Sequence, residues 1–224
     1  MTDRGLTIEI YSDVVCPWCY IGKRRLEQAL ASVGGEVCVT WRPFQLNPTM
    51  PLDGVDRTTY LEAKFGSLEA FDRLKEQVLA AGVGEGIRFA FEKMQRTPNT
   101  FAAHRLVWHA ERHGKQDAVV EALFRAYFVE AQDIGNVEAL AQVAAQAGLE
   151  RSETENFLKS DEGVADVKAE EAAGHKLGIR GVPYFVLNQA YGISGAQPVD
   201  AFVSAIEKVR VQKSATAEGS ASRR

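Results

Sequence analysis

The chain has 224 residues, with 26 Lys and Arg against 30 Asp and Glu, and a formal net charge of -4 at pH 7. That length can bury a core without covalent staples, and three cysteines, Cys16, Cys19 and Cys38, are too few and too odd in number for a secreted disulfide framework. The absence of a basic block argues against a nucleic-acid partner, no apolar run approaches the roughly 20 residues of a membrane span, and MTDRGLTIEIYSD interleaves charges where a signal peptide is apolar, so the expectation is a cytoplasmic protein with no membrane partner.

Residues 6 to 11, LTIEIY, alternate apolar and polar as a half-buried strand does. Cys16-Pro17 then opens a segment with Ile21, Leu26, Ala29 and Leu30 at roughly helical spacing, ended by Gly34-Gly35. EVCVTWRPF (36 to 44) returns to a period of two, with Val37, Val39 and Trp41 on one face, before Pro43, Pro48 and Pro51 break the pattern. From about 56 to 160 the spacing is helical, as in Phe71, Leu74 and Val78, in Ala103, Leu106, Val107 and Ala110, and in Val119, Val120, Leu123, Phe124, Tyr127 and Phe128. VEALAQVAAQAG adds a helix with Asn136 as N-cap and Gly148 beyond its end, whereas GIRFAFEKM (86 to 94) alternates and predicts an extended connector. A polar helix around 161 to 177 precedes two short strands, Tyr184 to Leu187 and Ala190 to Ile193, joined by Asn188-Gln189. Gly195-Ala196-Gln197-Pro198 starts a last helix with Phe202, Ile206 and Val209 inward. The pattern predicts an α/β unit over 1–55 and 161–211, an all-helical insertion over 56–160, and a small, polar, disordered tail over 212–224.

Cys16 and Cys19 flank Pro17 and Trp18 on the first turn of the first helix, on one side of it and close enough for a disulfide. At a helix start, unpaired backbone N–H groups and the positive end of the dipole favour a thiolate, and Pro17 loses nothing by lacking an N–H. The expected roles are unequal. Cys16, exposed at the helix end, attacks a substrate disulfide; Cys19, one turn deeper, resolves the mixed disulfide. Half a zinc site shares the spacing but lacks its other ligands, since Cys38 is the sole further thiol and His109 with His113 lie far downstream; no metal is expected. A buried structural pair is the other competing reading.

Three stretches carry a family resemblance: S-D-x-x-C-P-W-C-Y-I-G (12 to 22), the run containing Asn99, Thr100, His104, Arg105 and Leu106, and G-V-P followed by a strand and S-G-A-Q (194 to 197). Together they resemble the thioredoxin superfamily, in its DsbA-like branch with a helical insertion, as in FrnE-type proteins, over nearly the whole chain to about 210. The resemblance implies a thioredoxin fold interrupted by an all-helical insertion, and a protein disulfide oxidoreductase that reduces, oxidises or isomerises disulfides of protein, peptide or small-thiol partners. It also implies that Pro183 is a cis-proline facing Pro17 and Trp18, whose loop offers the backbone of Val182 to an extended substrate segment. Residues alone give Pro183 as an ordinary trans-proline before a strand. Trp18 stands where secreted relatives usually carry histidine, which leaves the redox poise open, and the absence of cysteines near the C-terminus argues against a second dithiol relay.

Asp13 reads equally as a proton shuttle for the thiols and as a helix-capping acid. Cys38, mid-strand, reads as a buried inert thiol. His104 and Arg105 read as helix packing and capping, with cleft lining as the sharper alternative. A second function class is a glutathione-dependent transferase or isomerase, of the kappa-class or hydroxychromene carboxylate isomerase type, in which the Cys16 position is typically serine; Asn99, His104, Gly195, Ala196 and Gln197 would then line a glutathione cleft. A non-enzymatic holdase is a third. No tightly bound cofactor is expected, glutathione stands as a co-substrate, glutathione or a thioredoxin-type system as the recycling partner, and monomer and dimer are both open.

Overall fold

The computed structural model describes residues 5–221, with side chains as far as Gln212. Strand β1 (Leu6–Ser12) runs into helix α1 (Pro17–Val33), and β2 (Val37–Pro43) returns parallel to β1, pairing Leu6 with Val37 and Ser12 with Pro43. A short pair, β3 (Val55–Asp56) and β4 (Arg96–Thr97), brackets α2 (Arg57–Phe65) and α3 (Leu68–Gly84). Helices α4 (Phe101–Arg112), α5 (Gln116–Phe128), α6 (Val137–Gln146) and α7 (Arg151–Lys159) follow. Then come α8 (Val164–Lys176), β5 (Tyr184–Leu187), β6 (Tyr191–Ser194) and α9 (Val199–Ala221). The four-stranded sheet has the order β2-β1-β5-β6, with β5 antiparallel to both its neighbours.

The alternation of β1 decides which face is covered. Leu6, Ile8 and Ile10 point into the main core with Phe185, Leu187, Phe202 and Ile206, on the side where α1 packs against α9. Tyr11 faces the other way and joins Phe44 and Ile179 in a smaller cluster beside α8. That second face is covered only near the ends of β1 and β2 that carry Tyr11 and Arg42. Cys38, paired with Thr7 at the opposite end, is therefore exposed, which corrects its expected burial.

The helices between β2 and α8 share the core of the sheet unit. Tyr20 of α1 stacks on Phe124 of α5 at 5.0 Å between centroids, and Trp41 of β2 meets Phe124 edge-on at 6.2 Å. The first residue of α5 also closes the edge of the sheet: Trp41 N–H donates to Gln116 Oε1 at 2.8 Å, and Gln116 Nε2 donates to the Trp41 carbonyl at 3.0 Å. One side-chain amide thus mimics a neighbouring strand and blunts an edge that would otherwise be open to another chain.

Three details differ from the sequence reading. GIRFAFEKM is a connector, but it tightens into a 3-10 turn at Phe91–Lys93 because Ile87 and Phe91 both turn into the core. The last strand starts at Tyr191 rather than Ala190, since Asn188 and Gln189 take positive φ (45° and 58°) and Ala190 N–H closes the turn on the Leu187 carbonyl. Helix α9 continues to Ala221, into the stretch read as a disordered tail; 222–224 lie outside the described residues.

Arg105 takes the packing and capping role. Buried in α4, its guanidinium donates to the carbonyls of Phe157, Leu158 and Ser160 at 3.1, 3.1 and 2.7 Å, and to that of Glu162 at 2.7 Å. These carbonyls lie at and just beyond the C-terminal end of α7, where a helix leaves acceptors over; only that of Phe157 is shared, with the Ser160 N–H and hydroxyl. Arg105→Met should lower the unfolding free energy in urea by about 2–4 kcal/mol, because several buried acceptors are stranded at once; a change below about 0.5 kcal/mol would show that water serves them equally well.

Candidate functional site

The turn from β1 into α1 sets the position of both thiols. Cys16 N–H donates to the Asp13 carbonyl at 3.0 Å, and Cys19 N–H to the Cys16 carbonyl at 3.0 Å, so the helix begins at Cys16 with Pro17 at its first position. No side chain caps this end: Asp13, three residues earlier, turns its carboxylate inward instead. The first turn of α1 therefore carries no side-chain cap, from Asp13 or from Cys16 itself.

Both cysteines are free thiols, and both are buried, Cys16 at 5% and Cys19 at 1% exposure. Cys16 is thus less open than its helix-end position predicts, because it belongs to the main core cluster, against which Val182 and Trp18 also pack. Its sulfur donates to the Val182 carbonyl at 3.5 Å. Burial pushes the Cys19 thiol well above the ordinary cysteine range, and the hydrogen bond with Cys16 pushes it further; the Ser12 hydroxyl and the Asp13 backbone N–H act in the opposite direction.

The Val182–Pro183 peptide bond is cis. The loop is held from two sides. Gly195 N–H donates to the Pro183 carbonyl at 2.8 Å, and α1 approaches at Gly22, where an added Cβ would lie 3.1 Å from both the Pro183 ring and Phe185. Arg25 of α1 donates to the Ala196 carbonyl at 2.6 Å and pairs with Glu85 at 2.6 Å, tying the loop to the end of α3. The S-G-A-Q stretch is therefore engaged with its own chain: Gln197 N–H bonds the Gly195 carbonyl and Gln197 Nε2 the Ser194 carbonyl.

Asp13 and His104 come together behind the motif. Asp13, fully buried, accepts from Leu46 N–H at 2.8 Å through Oδ2, and its Oδ1 lies 3.3 Å from His104 Nε2, itself only 4% exposed. Asn99 is spent on the Met50 carbonyl (2.7 Å) and on Phe101 N–H (2.9 Å). Neither Asn99 nor His104 is among the residues lining the cavity beside Cys16.

That cavity, about 250 Å³, runs from Val15, Cys16, Pro17 and Trp18 into the helical part, where Phe71, Phe91 and Tyr127 form its wall and Arg57, Lys64 and Lys75 bring positive charge. Sequence reasoning missed these residues. Phe71, Phe91 and Tyr127 have the spacing of ordinary core, and nothing local says that they face a void. Ser12 was legible only as part of the motif, although strand alternation already turned it toward Cys19. Among the described residues no group of three or more His, Cys, Asp or Glu side chains is arranged to hold a metal, and no helix is long and apolar enough to cross a membrane.

Residues 7–207 match the DSBA-like thioredoxin domain family. A probable DsbA oxidoreductase of Streptomyces coelicolor, SCO1869, superposes with a TM-score of 0.84 at 36% identity over 91% of this chain and 89% of its own. The cytosolic disulfide reductase DsbM of Pseudomonas aeruginosa, solved with GSH, gives a TM-score of 0.66 at 19% identity over 91% and 99%, a likeness of fold. The uncharacterized protein YwbO of Bacillus subtilis is 27% identical over 92% of this chain and 98% of its own.

Burial orders the three cysteines, and it also raises the Cys19 thiol. In native protein near neutral pH, iodoacetamide should modify Cys38 first and Cys19 last, by at least about tenfold in rate, with Cys19 labelling rising only at pH well above the ordinary cysteine range or when the chain is unfolded. Peptide mass mapping reads the order, and equal labelling of Cys19 and Cys38 would contradict the burial of the inner thiol.

Proposed function

The chain belongs to the DSBA-like thioredoxin domain family of thiol-disulfide oxidoreductases, and from that premise we propose that it runs a dithiol cycle with Cys16 as nucleophile and Cys19 as resolving thiol. The observation that carries the assignment is the pairing of unlike environments. Cys16 sits at an uncapped helix start beside the Val182 carbonyl and a cavity, whereas Cys19 sits a turn deeper with its thiol held protonated by burial. A nucleophile must be ionised and reachable, and a resolving thiol needs only its neighbour.

The Cys16 thiolate attacks one sulfur of a substrate disulfide, forming a new S–S bond and releasing the other half as a thiolate. Cys19 then gives up its proton and attacks the Cys16 sulfur, closing the Cys16–Cys19 disulfide and releasing the second half. Asp13, whose backbone N–H touches the Cys19 sulfur and whose carboxylate pairs with His104, is placed to handle that proton. Two equivalents of a small thiol such as glutathione, or a thioredoxin-type dithiol, return the pair to the reduced state. In a reducing cytoplasm the net direction is substrate reduction. Val182, Pro183 and Trp18 border the site and guide the substrate, with the backbone of the Val182 loop as the main-chain edge. The presence of two thiols, rather than one hydroxyl at position 16, favours this cycle over a glutathione transferase or isomerase.

The test uses a Cys38→Ala background, because the exposed thiol would form adducts of its own. Cys16→Ser should reduce glutathione-driven insulin disulfide reduction by on the order of a thousandfold or more. Cys19→Ser should accumulate a mixed disulfide detected by mass, and Asp13→Asn should slow release of that adduct more than its formation. Full turnover without Cys16, or no covalent adduct on Cys19→Ser, would refute the assignment.

A further inference from the structure

The cavity beside Cys16 has a composition that a general disulfide exchanger does not need. Its wall is aromatic, and at about 250 Å³ it falls just short of the roughly 300–1,000 Å³ of sites for drug-sized ligands, which suits one ring-sized group. It also holds cations. Lys75 is neutralised by Asp72 at 2.8 Å and Glu92 at 3.2 Å. Arg57 and Lys64 differ: among the described residues neither has a carboxylate within 4.0 Å.

Arg57 is half-buried, and the partners it does have are aromatic. Its guanidinium lies 5.8 Å from the Phe71 ring centre and 5.7 Å from that of Phe91, and Nη1 donates to the Tyr127 hydroxyl at 3.3 Å. Lys64 donates to the Tyr60 hydroxyl at 2.6 Å at the same cavity. Arg57, half removed from bulk water and given only rings and a phenol, retains most of its capacity for an anion, and its planar fork suits a carboxylate, whereas Lys64 is exposed and adds charge from the solvent side.

Access points the same way. With 5% of Cys16 exposed and its sulfur against the Val182 carbonyl, a disulfide fixed on the surface of a folded protein reaches it poorly, whereas a small molecule entering the cavity meets it at the wall. Resting on the dithiol cycle proposed above, we infer that the preferred substrates are low-molecular-weight disulfides in which one half carries an aromatic or similarly bulky apolar group and a carboxylate. The apolar group fills the cavity between Phe71, Phe91 and Tyr127, and the carboxylate meets Arg57 and Lys64. The chemistry is the same exchange: the Cys16 sulfur forms a bond to one substrate sulfur, the substrate S–S bond breaks, and the anionic aromatic thiolate leaves; attack by Cys19 releases the other half.

The experiment compares two aromatic disulfides, the dianionic disulfide of thionitrobenzoate and the neutral disulfide of mercaptopyridine. Each release is read by absorbance: thionitrobenzoate leaves as a yellow thiolate, and mercaptopyridine takes up a proton to give a thione that absorbs in the near ultraviolet. Stopped-flow rates with reduced Cys38→Ala protein are divided by the rates of the same probes with a free small thiol, which removes the intrinsic reactivity of each probe. The anionic probe should be favoured by about tenfold or more, equivalent to about 1.4 kcal/mol. The preference should shrink with added salt, collapse toward unity in Arg57→Gln/Lys64→Gln, and survive in Arg57→Lys. Equal normalised rates in the Cys38→Ala protein, or a preference that persists in the double variant, would overturn the anionic-substrate inference while leaving the dithiol cycle standing. Exchange with neither probe would overturn the cycle, and the inference with it.

Discussion

Helix α1 starts at Pro17, directly after a strand whose residues are hydrogen-bonded on both sides, and no side chain caps it. The orphan N–H groups of a helix start must find a partner. Here Cys16 stands at the N-cap position, while Asp13, the acid that might have capped, is drawn into the interior by Leu46 N–H and His104. One turn further, Cys19 falls where the helix presses on β1, and burial follows. The inequality of the two thiols is thus a consequence of where the helix begins and of which side of its first turn faces the sheet.

The rest of the chain keeps that junction in place. Lys23, nearly fully buried in α1, is surrounded by Glu27, Asp117 and Glu121, and Asp117 also accepts from Trp41 Nε1 at 3.0 Å, so one buried ammonium joins α1, α5 and β2. Isolating a charge there would be costly, and pairing it with several carboxylates is what makes the position tolerable. On the opposite flank Arg25 joins α1 to Glu85 and to the Ala196 carbonyl, fixing the loop that presents Val182. The helical insertion is therefore more than an ornament on the sheet unit: it supplies the acids that hold α1 and the aromatic wall beside Cys16.

Much of this was legible in the sequence because it rests on local patterns. Alternation in LTIEIY, helical spacing after Cys16-Pro17, the Asn188-Gln189 turn and the Asn136 cap each depend on neighbours in the chain, and the motif residues themselves name the chemistry. What was not legible depends on packing at long range. Cys38 alternates onto the face opposite Val37, Val39 and Trp41, and only the folded chain shows that α8 covers the other end of that face and leaves this one open. Asp13 and His104, 91 positions apart by their numbering, meet only once α4 packs against the sheet at β2. Phe71, Phe91 and Tyr127 look like core in any one-dimensional reading, and only the folded chain shows that they wall a cavity with Arg57 among them.

The central claim is that Cys16 and Cys19 open and close as one two-electron couple, with Cys38 outside it. Equilibrating the protein in glutathione redox buffers, quenching with acid and mapping disulfides by mass tests this most directly. The account predicts a single transition in which only the Cys16–Cys19 bridge forms, unchanged in Cys38→Ala and absent in Cys16→Ser. Failure of that bridge to form under oxidising buffer, or a bridge involving Cys38, would contradict it.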